Sequence, residues 1–155
     1  MIKNKKQVIN QLNKILEAEL AGVVRYTHYS FLVFGYTRIP IVSWLRSQAT
    51  ESLTHAQQAG EMITRLGGHP SLAIGPLLET HAHDIGQILR ETLEAEHTAL
   101  GLYMGLLKLV ANKNVALEEY ARGLIEQEEA HIDEIDKMLR KPGDVEQSKE
   151  AREYD

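Results

Sequence analysis

Glu128 and His131 stand three residues apart in "IEQEEAHIDEI", where Leu124 and Ile135 mark the seam that a helix would bury. At that spacing two side chains leave one face of a helix a turn apart, so a carboxylate and an imidazole can serve one cation. Glu51 and His55 form a second such pair, four apart, in "TESLTHA". Glu19 and Glu96 add two more acids, each followed seven residues later by a tyrosine, Tyr26 and Tyr103. Oxygen donors with a minority of nitrogen and no sulfur suit iron or manganese better than structural zinc. A single Glu-x-x-His is a weak signal, because most such pairs are surface ion pairs and a lone core histidine is usually just hydrogen-bonded. The weight comes from recurrence at one level of four helices.

Four helical segments must position these groups. The first runs from about Lys6 to Phe34, with seam Val8, Leu12, Ile15, Glu19, Gly22, Tyr26; "GYTRIP" then breaks the chain. The second runs from about Ile41 to Leu66, with seam Leu45, Gln48, Ser52, His55, Ala59, Met62, Leu66, and stops at "GGHPSLAIGP". The third, about His81 to Ala111, has seam Ile85, Leu89, Thr92, Glu96, Ala99, Tyr103, Leu106, Val110. The fourth, about Val115 to Arg140, has seam Ala121, Leu124, Glu128, His131, Ile135, Met138. No segment reads as a strand. The expected fold is all-α: a four-helix bundle over residues 1–141, with a polar tail over 142–155 that composition leaves free to be disordered. The connection between helices two and three, about Gly67 to Thr80, is the longest. The other two are short, which makes helices one and two, and three and four, antiparallel neighbours.

Each helix thus carries an acid near the middle of its buried stripe: Glu19, Glu51, Glu96 and Glu128. An unpaired buried carboxylate costs several kcal/mol, and four would consume much of a domain's stability of about 5–15 kcal/mol. No lysine or arginine occupies a nearby seam position. Two divalent cations would neutralise the cluster, and four carboxylates with two imidazoles supply enough donors for both.

Composition narrows the alternatives. The chain of 155 residues, 43% hydrophobic and 25% charged, is long enough for one core of ordinary globular type. Its net charge of -5, without a basic stripe, gives no reason to expect nucleic acid. The absence of cysteine excludes thiolate zinc and iron–sulfur sites. The longest apolar run, "LGLYMGLL", is far short of the roughly 20 residues of a membrane span. No apolar signal core follows the basic N-terminus, and a cytoplasmic protein is expected.

The whole pattern resembles the ferritin-like di-iron carboxylate proteins, and bacterioferritins most closely. The likeness spans about Val8 to Met138 and rests on "LNKILEAELAGVVRY", "ESLTHA", "LEAEHTALGLY" and "EQEEAHIDEID". A Glu from each of two helices plus Glu-x-x-His from the other two is the general arrangement in that family. The resemblance implies that Glu19 and Glu96 are terminal carboxylates, Glu128 a bridge, and His55 and His131 terminal nitrogen ligands of two iron ions, a site that manganese or zinc can also fill. It implies that Tyr26 and Tyr103 hydrogen-bond the ligands; both could equally fill the core.

Three departures qualify the likeness. Ser52 takes the position where the second Glu-x-x-His would have its acid, and Glu51 lies about 40° off that register. Glu51 is expected to be a ligand all the same, reaching the site directly or through a one-residue π-bulge before His55; an asymmetric site with the second bridge weak or missing is the alternative. Leu53 occupies the place of the methionine that ligates haem in haem-binding bacterioferritins, so haem is not expected. Cage-forming members usually carry a fifth short helix, which the tail after Pro142 does not announce. A homodimer is therefore the smallest assembly expected, and the 24-subunit cage asks for more than the tail offers.

The resemblance implies a ferroxidase that oxidises Fe(II) with O2 or peroxide, in iron storage or detoxification. A rubrerythrin-like di-iron peroxidase without storage and a non-catalytic bundle are the alternatives. His81 and His83 could bind a metal at an entry point, although a solvated helix start explains them as well.

Overall fold

A computed structural model describes residues 3–154. Five helices follow in order: α1 Lys5–Phe31, α2 Arg38–Arg65, α3 Ile85–Val110, α4 Val115–Leu139 and α5 Lys149–Arg152. Among the described residues there is no strand. The four long helices match the sequence expectation in number and order, and their ends differ for local reasons.

Helix α2 starts before Pro40, not after it: Pro40 lies in the first turn, where its missing N–H has no intrahelical acceptor to lose. Its end is a Schellman motif. Gly67 is left-handed at φ 78°, its N–H bonds to the Thr64 carbonyl at 2.9 Å, and the Gly68 N–H bonds to the Ile63 carbonyl at 2.9 Å. Helix α3 begins at Ile85, not at His81, because the Asp84 side chain caps it by accepting the Gln87 N–H at 3.1 Å. Asn114 caps α4 in the same way, through the Leu117 N–H at 2.9 Å.

Hydrogen bonds between segments give the topology. The start of α1 meets the end of α3, where Asn4 Nδ2 donates to the Leu109 carbonyl at 2.9 Å. The end of α1 meets the start of α3, where the Tyr29 hydroxyl donates to Glu91 at 2.8 Å. Helices α1 and α3 are therefore antiparallel. The connection between α2 and α3 runs along the flank of α1: Asn13 Nδ2 donates to the His69 carbonyl at 3.2 Å, the Gly75 N–H donates to the Glu17 carbonyl at 2.9 Å, and Glu79 reaches His28. Gly75 is needed there, since a Cβ would sit 3.0 Å from the Glu17 carbonyl oxygen. This run returns the chain to the level where α2 began, so α2 and α3 point the same way.

The apolar core is divided. Val8, Leu12, Ile15, Ala59, Ile63, Leu106 and Val110 fill one end. Tyr29, Val33, Val42, Leu45 and Ile88, with Leu89, Leu93 and Ile135 beside them, fill the other. Between these ends lies a buried polar layer containing Glu19, His55, Glu96 and Glu128.

The tail is folded back against the bundle. Asp136 accepts the Ser148 N–H at 2.8 Å and Arg140 Nη2 at 2.7 Å, Ser148 caps the four-residue α5, and Ala151 is buried. Tyr154 stacks on His97 of α3, with ring centroids 3.7 Å apart. Polar anchoring does here what an apolar face would otherwise do.

Candidate metal centre

Helices α1 and α3 each deliver one carboxylate and one tyrosine, crosswise. Tyr26 donates to Glu96, and the Tyr103 hydroxyl donates to Glu19 at 2.8 Å. Burial, reinforced by the facing glutamate, holds both phenols protonated, well above the ordinary tyrosine range. Each therefore donates its proton to the facing glutamate, which fixes that glutamate's rotamer. The seven-residue spacing brings this about, since Glu and Tyr on one helix lie two turns apart on the same face.

Helix α4 delivers Glu128, 1% exposed, to the centre of the layer. Its Oε1 lies 3.8 Å from His55 Nδ1 and its Oε2 3.9 Å from His131 Nδ1. Two groups of donor atoms, each drawn within 4.8 Å, share this residue: Glu19, His55 and Glu128; and Glu96, Glu128 and His131. One carboxylate common to two three-residue groups is an arrangement able to hold a bridged pair of cations.

The charge balance fits such a pair. Burial above all, then Glu96 and the charges of Glu19 and Glu51, push the Glu128 carboxyl far above the usual carboxylate range. Glu128 Oε2 is buried without a hydrogen-bond partner. No lysine or arginine is among the buried polar side chains of the described residues. A buried acid cluster with an unpartnered oxygen and no lysine or arginine is an environment that two divalent cations would complete.

The histidines are held from behind. His55 Nδ1 faces Glu19 at 3.5 Å, whereas Nε2 lies 2.9 Å from Gln127 Oε1. His131 Nδ1 faces Glu128, whereas Nε2 lies 3.0 Å from Glu51 Oε2. In both rings an outer oxygen is placed to accept a proton from Nε2, and that tautomer turns the Nδ1 lone pair inward, as a metal requires. Burial disfavours charge on His55, but the acceptor oxygens of Glu19 and Gln127 and the charges of Glu19 and Glu51 raise its proton affinity above the usual value.

Glu51, expected as a ligand, belongs to neither donor group; its Oε2 lies instead on Nε2 of His131. Helix α2 is α-helical throughout, without the π-turn that would have rotated Glu51 inward. Ser52 holds the seam position, buried against α1 at Gly22, where an added Cβ would lie 2.9 Å from Ser52 Oγ. At the matching seam positions α4 carries Glu128 and α2 carries Ser52, both buried. Gln127 escaped the sequence reading because it lies off the seam; only its place immediately before Glu128, equivalent to Glu51 before Ser52, could have pointed to it. Leu53 is half exposed on α2.

A four-helix bundle whose buried waist holds two carboxylate–histidine groups around a shared glutamate is a helical bundle with a candidate carboxylate-bridged metal centre. The chain belongs to the ferritin-like domain family, whose sequence model matches residues 9–143. A ferritin-like, diiron-carboxylate protein from Bacillus anthracis superposes with a TM-score of 0.84 at 26% identity, over 90% of this chain and 100% of its own. A Rhodobacter capsulatus bacterioferritin, solved with a metal-free dinuclear site and haem iron, superposes at 0.75 with 26% identity, over 84% of this chain and 81% of its own. A Desulfovibrio desulfuricans bacterioferritin with a diiron site shares the fold at 22% identity and TM-score 0.77, over 86% and 78% of the two chains. No curated protein matches the chain. No helix among the described residues is long and apolar enough to cross a membrane.

Proposed function

We propose that the chain is a ferroxidase that binds two Fe(II) ions as substrate in the buried layer and oxidises them with dioxygen or peroxide. The observation that carries this reading is Glu128, shared by the two donor groups and left with an unpartnered buried oxygen. Glu19 and His55 would hold one ion, Glu96 and His131 the other, and Glu128 would span both. Two Fe(II) supply one electron each, enough with two protons to convert O2 to hydrogen peroxide, or peroxide to water.

The chain's own groups prepare that chemistry. Glu128 neutralises charge between the two positions, and a carboxylate can change from one-oxygen to two-oxygen binding as the charge rises. Tyr26 and Tyr103 keep Glu96 and Glu19 aligned. Gln127 and Glu51 orient the two imidazoles. The apolar ends of the core keep bulk water from the layer, which strengthens each electrostatic contact. The relatives whose diiron and dinuclear sites are described support iron as the metal, and the donor set agrees with it. Storage, and the homo-oligomer that storage demands, extend the same reading.

The test is stepwise aerobic addition of Fe(II) to the metal-free protein, following Fe(III) by absorbance. A rapid phase saturating near two irons per chain is expected. Uptake beyond that point would point to storage. Peroxide turnover with an added reductant and no further uptake would favour the rubrerythrin-like alternative. Oxidation no faster than without protein would leave a non-catalytic bundle.

A further inference from the structure

A second group of metal donors lies outside the buried layer, on the flank of α1. His28 Nε2 is 2.6 Å from Glu79 Oε2, and His83 Nε2 is 3.1 Å from Glu79 Oε1. The three donor atoms lie within 4.8 Å of one another. His81 Nδ1 is 3.8 Å from Glu79 Oε1, near enough to join. The group shares no residue with the seam and is drawn from two remote segments, α1 and the connection that leads into α3.

The loop presets this group. His81 takes the left-handed conformation at φ 53°, and its N–H donates to Glu79 Oε1 at 2.6 Å. That turn aims Glu79 back toward α1 and places His83 beside it. The backbone N–H of His81 and the rings of His83 and His28 converge on the Glu79 carboxylate and fix its orientation. Thr80 is tied to Glu91 of α3, which also receives the Tyr29 hydroxyl, so the loop is fastened on its other side as well.

We infer that His28, Glu79 and His83 form a site for a divalent transition-metal ion that clamps the α2–α3 connection onto α1. Two imidazoles and one carboxylate with open positions suit Zn(II), Co(II) or Fe(II), and the nitrogen content discriminates against Mg(II) and Ca(II). The side chains are 48%, 37% and 30% exposed, so water completes the coordination and the ion exchanges with solution. A ligand that binds only the folded connection stabilises it by mass action.

The test is equilibrium dialysis of the metal-free chain against Co(II), read by bound metal and by the visible absorption of the ion. In a Glu128→Gln background, which weakens the seam, one Co(II) per chain is expected to remain. Adding His28→Ala and His83→Ala should remove it, while circular dichroism shows the helices intact. In the otherwise unchanged chain the same two histidine substitutions should leave rapid Fe(II) oxidation as it was. Co(II) uptake that is indifferent to His28 and His83 would overturn the site, as would displacement of the bound ion by Mg(II) in modest excess. Failure of the seam as a ferroxidase would show instead as lost Fe(II) oxidation with the flank ion still bound.

Discussion

Glu51 on α2 places Oε2 3.0 Å from Nε2 of His131 on α4, on the side of the ring that faces away from Glu128. The same relation joins Gln127 on α4 to His55 on α2 at 2.9 Å. The two helices thus exchange outer partners: each supplies a histidine and the oxygen that orients the other's histidine. Only the inner positions differ, glutamate at 128 and serine at 52.

From this exchange comes the first prediction. Glu51→Ala should leave two irons bound per chain, because neither donor group includes Glu51. It should weaken binding and slow oxidation by about 10–100-fold, the range for losing a hydrogen-bond partner behind a ligating histidine. Glu51→Gln, which keeps an acceptor oxygen, should recover most of the rate. Iron titrations of the three proteins decide it, and a stoichiometry falling to one ion in Glu51→Ala would make Glu51 a ligand after all.

Glu128 should separate stability from function. In the metal-free chain its carboxyl is buried among Glu19, Glu96 and Glu51, with one oxygen unpartnered. Glu128→Gln keeps the shape and removes the ionisable group. The metal-free variant should be more stable, by about 1–3 kcal/mol, because an amide NH2 in place of the unpartnered oxygen donates to the surrounding carboxylates. It should also lose tight binding of both ions. Urea unfolding of the two metal-free proteins, beside an iron titration, tests both halves; a less stable variant would mean that the wild-type acid is already well accommodated.

What the sequence made legible follows from periodicity. Glu19, His55, Glu96 and Glu128 were readable because they interrupt apolar heptads, and a buried acid is conspicuous where leucine is expected. All four are buried. Glu51 was ambiguous because an i, i+4 pair shares a face without sharing a role. Contacts across long sequence separations were not legible: His28 meets Glu79 only because the connection runs along α1, and no local pattern reports that path. The docked tail was missed for a related reason. It is held by Asp136 and Ser148, polar groups that hydrophobic periodicity does not register.

The two tyrosines offer a symmetrical test. Tyr26→Phe and Tyr103→Phe each remove one hydroxyl donor to a buried glutamate and keep the ring that fills the core. Each should destabilise the chain by about 1.5–3 kcal/mol, the range for a hydrogen bond to a charged group. Each should also slow iron oxidation about 10-fold or more by loosening a ligand. If the rings act only as core filler, both substitutions will be nearly silent in thermal unfolding and in rate.

Asp136 makes the tail's docking dependent on pH. It is 3% exposed at the end of α4, where it receives the Ser148 N–H at 2.8 Å and Arg140 Nη2 at 2.7 Å. Burial works against its charge, but the hydrogen bonds from Ser148 and the Arg140 guanidinium outweigh it, and the carboxyl is held below its usual value. A group depressed in the folded state contributes its full stability above the unfolded value, about 3.9 for aspartate, and loses it as pH falls through the folded value. The docked tail should therefore be insensitive to pH near neutrality and should loosen only below about pH 4. Asp136→Asn should loosen it at every pH, since a neutral amide holds Arg140 less strongly. Hydrogen exchange at the Ser148 amide, which Asp136 accepts directly, reports the event: protection should fall in acid for the wild type and already at neutral pH for the variant. Equal protection in the two proteins at pH 7 would place the anchor elsewhere, in the stack of Tyr154 on His97.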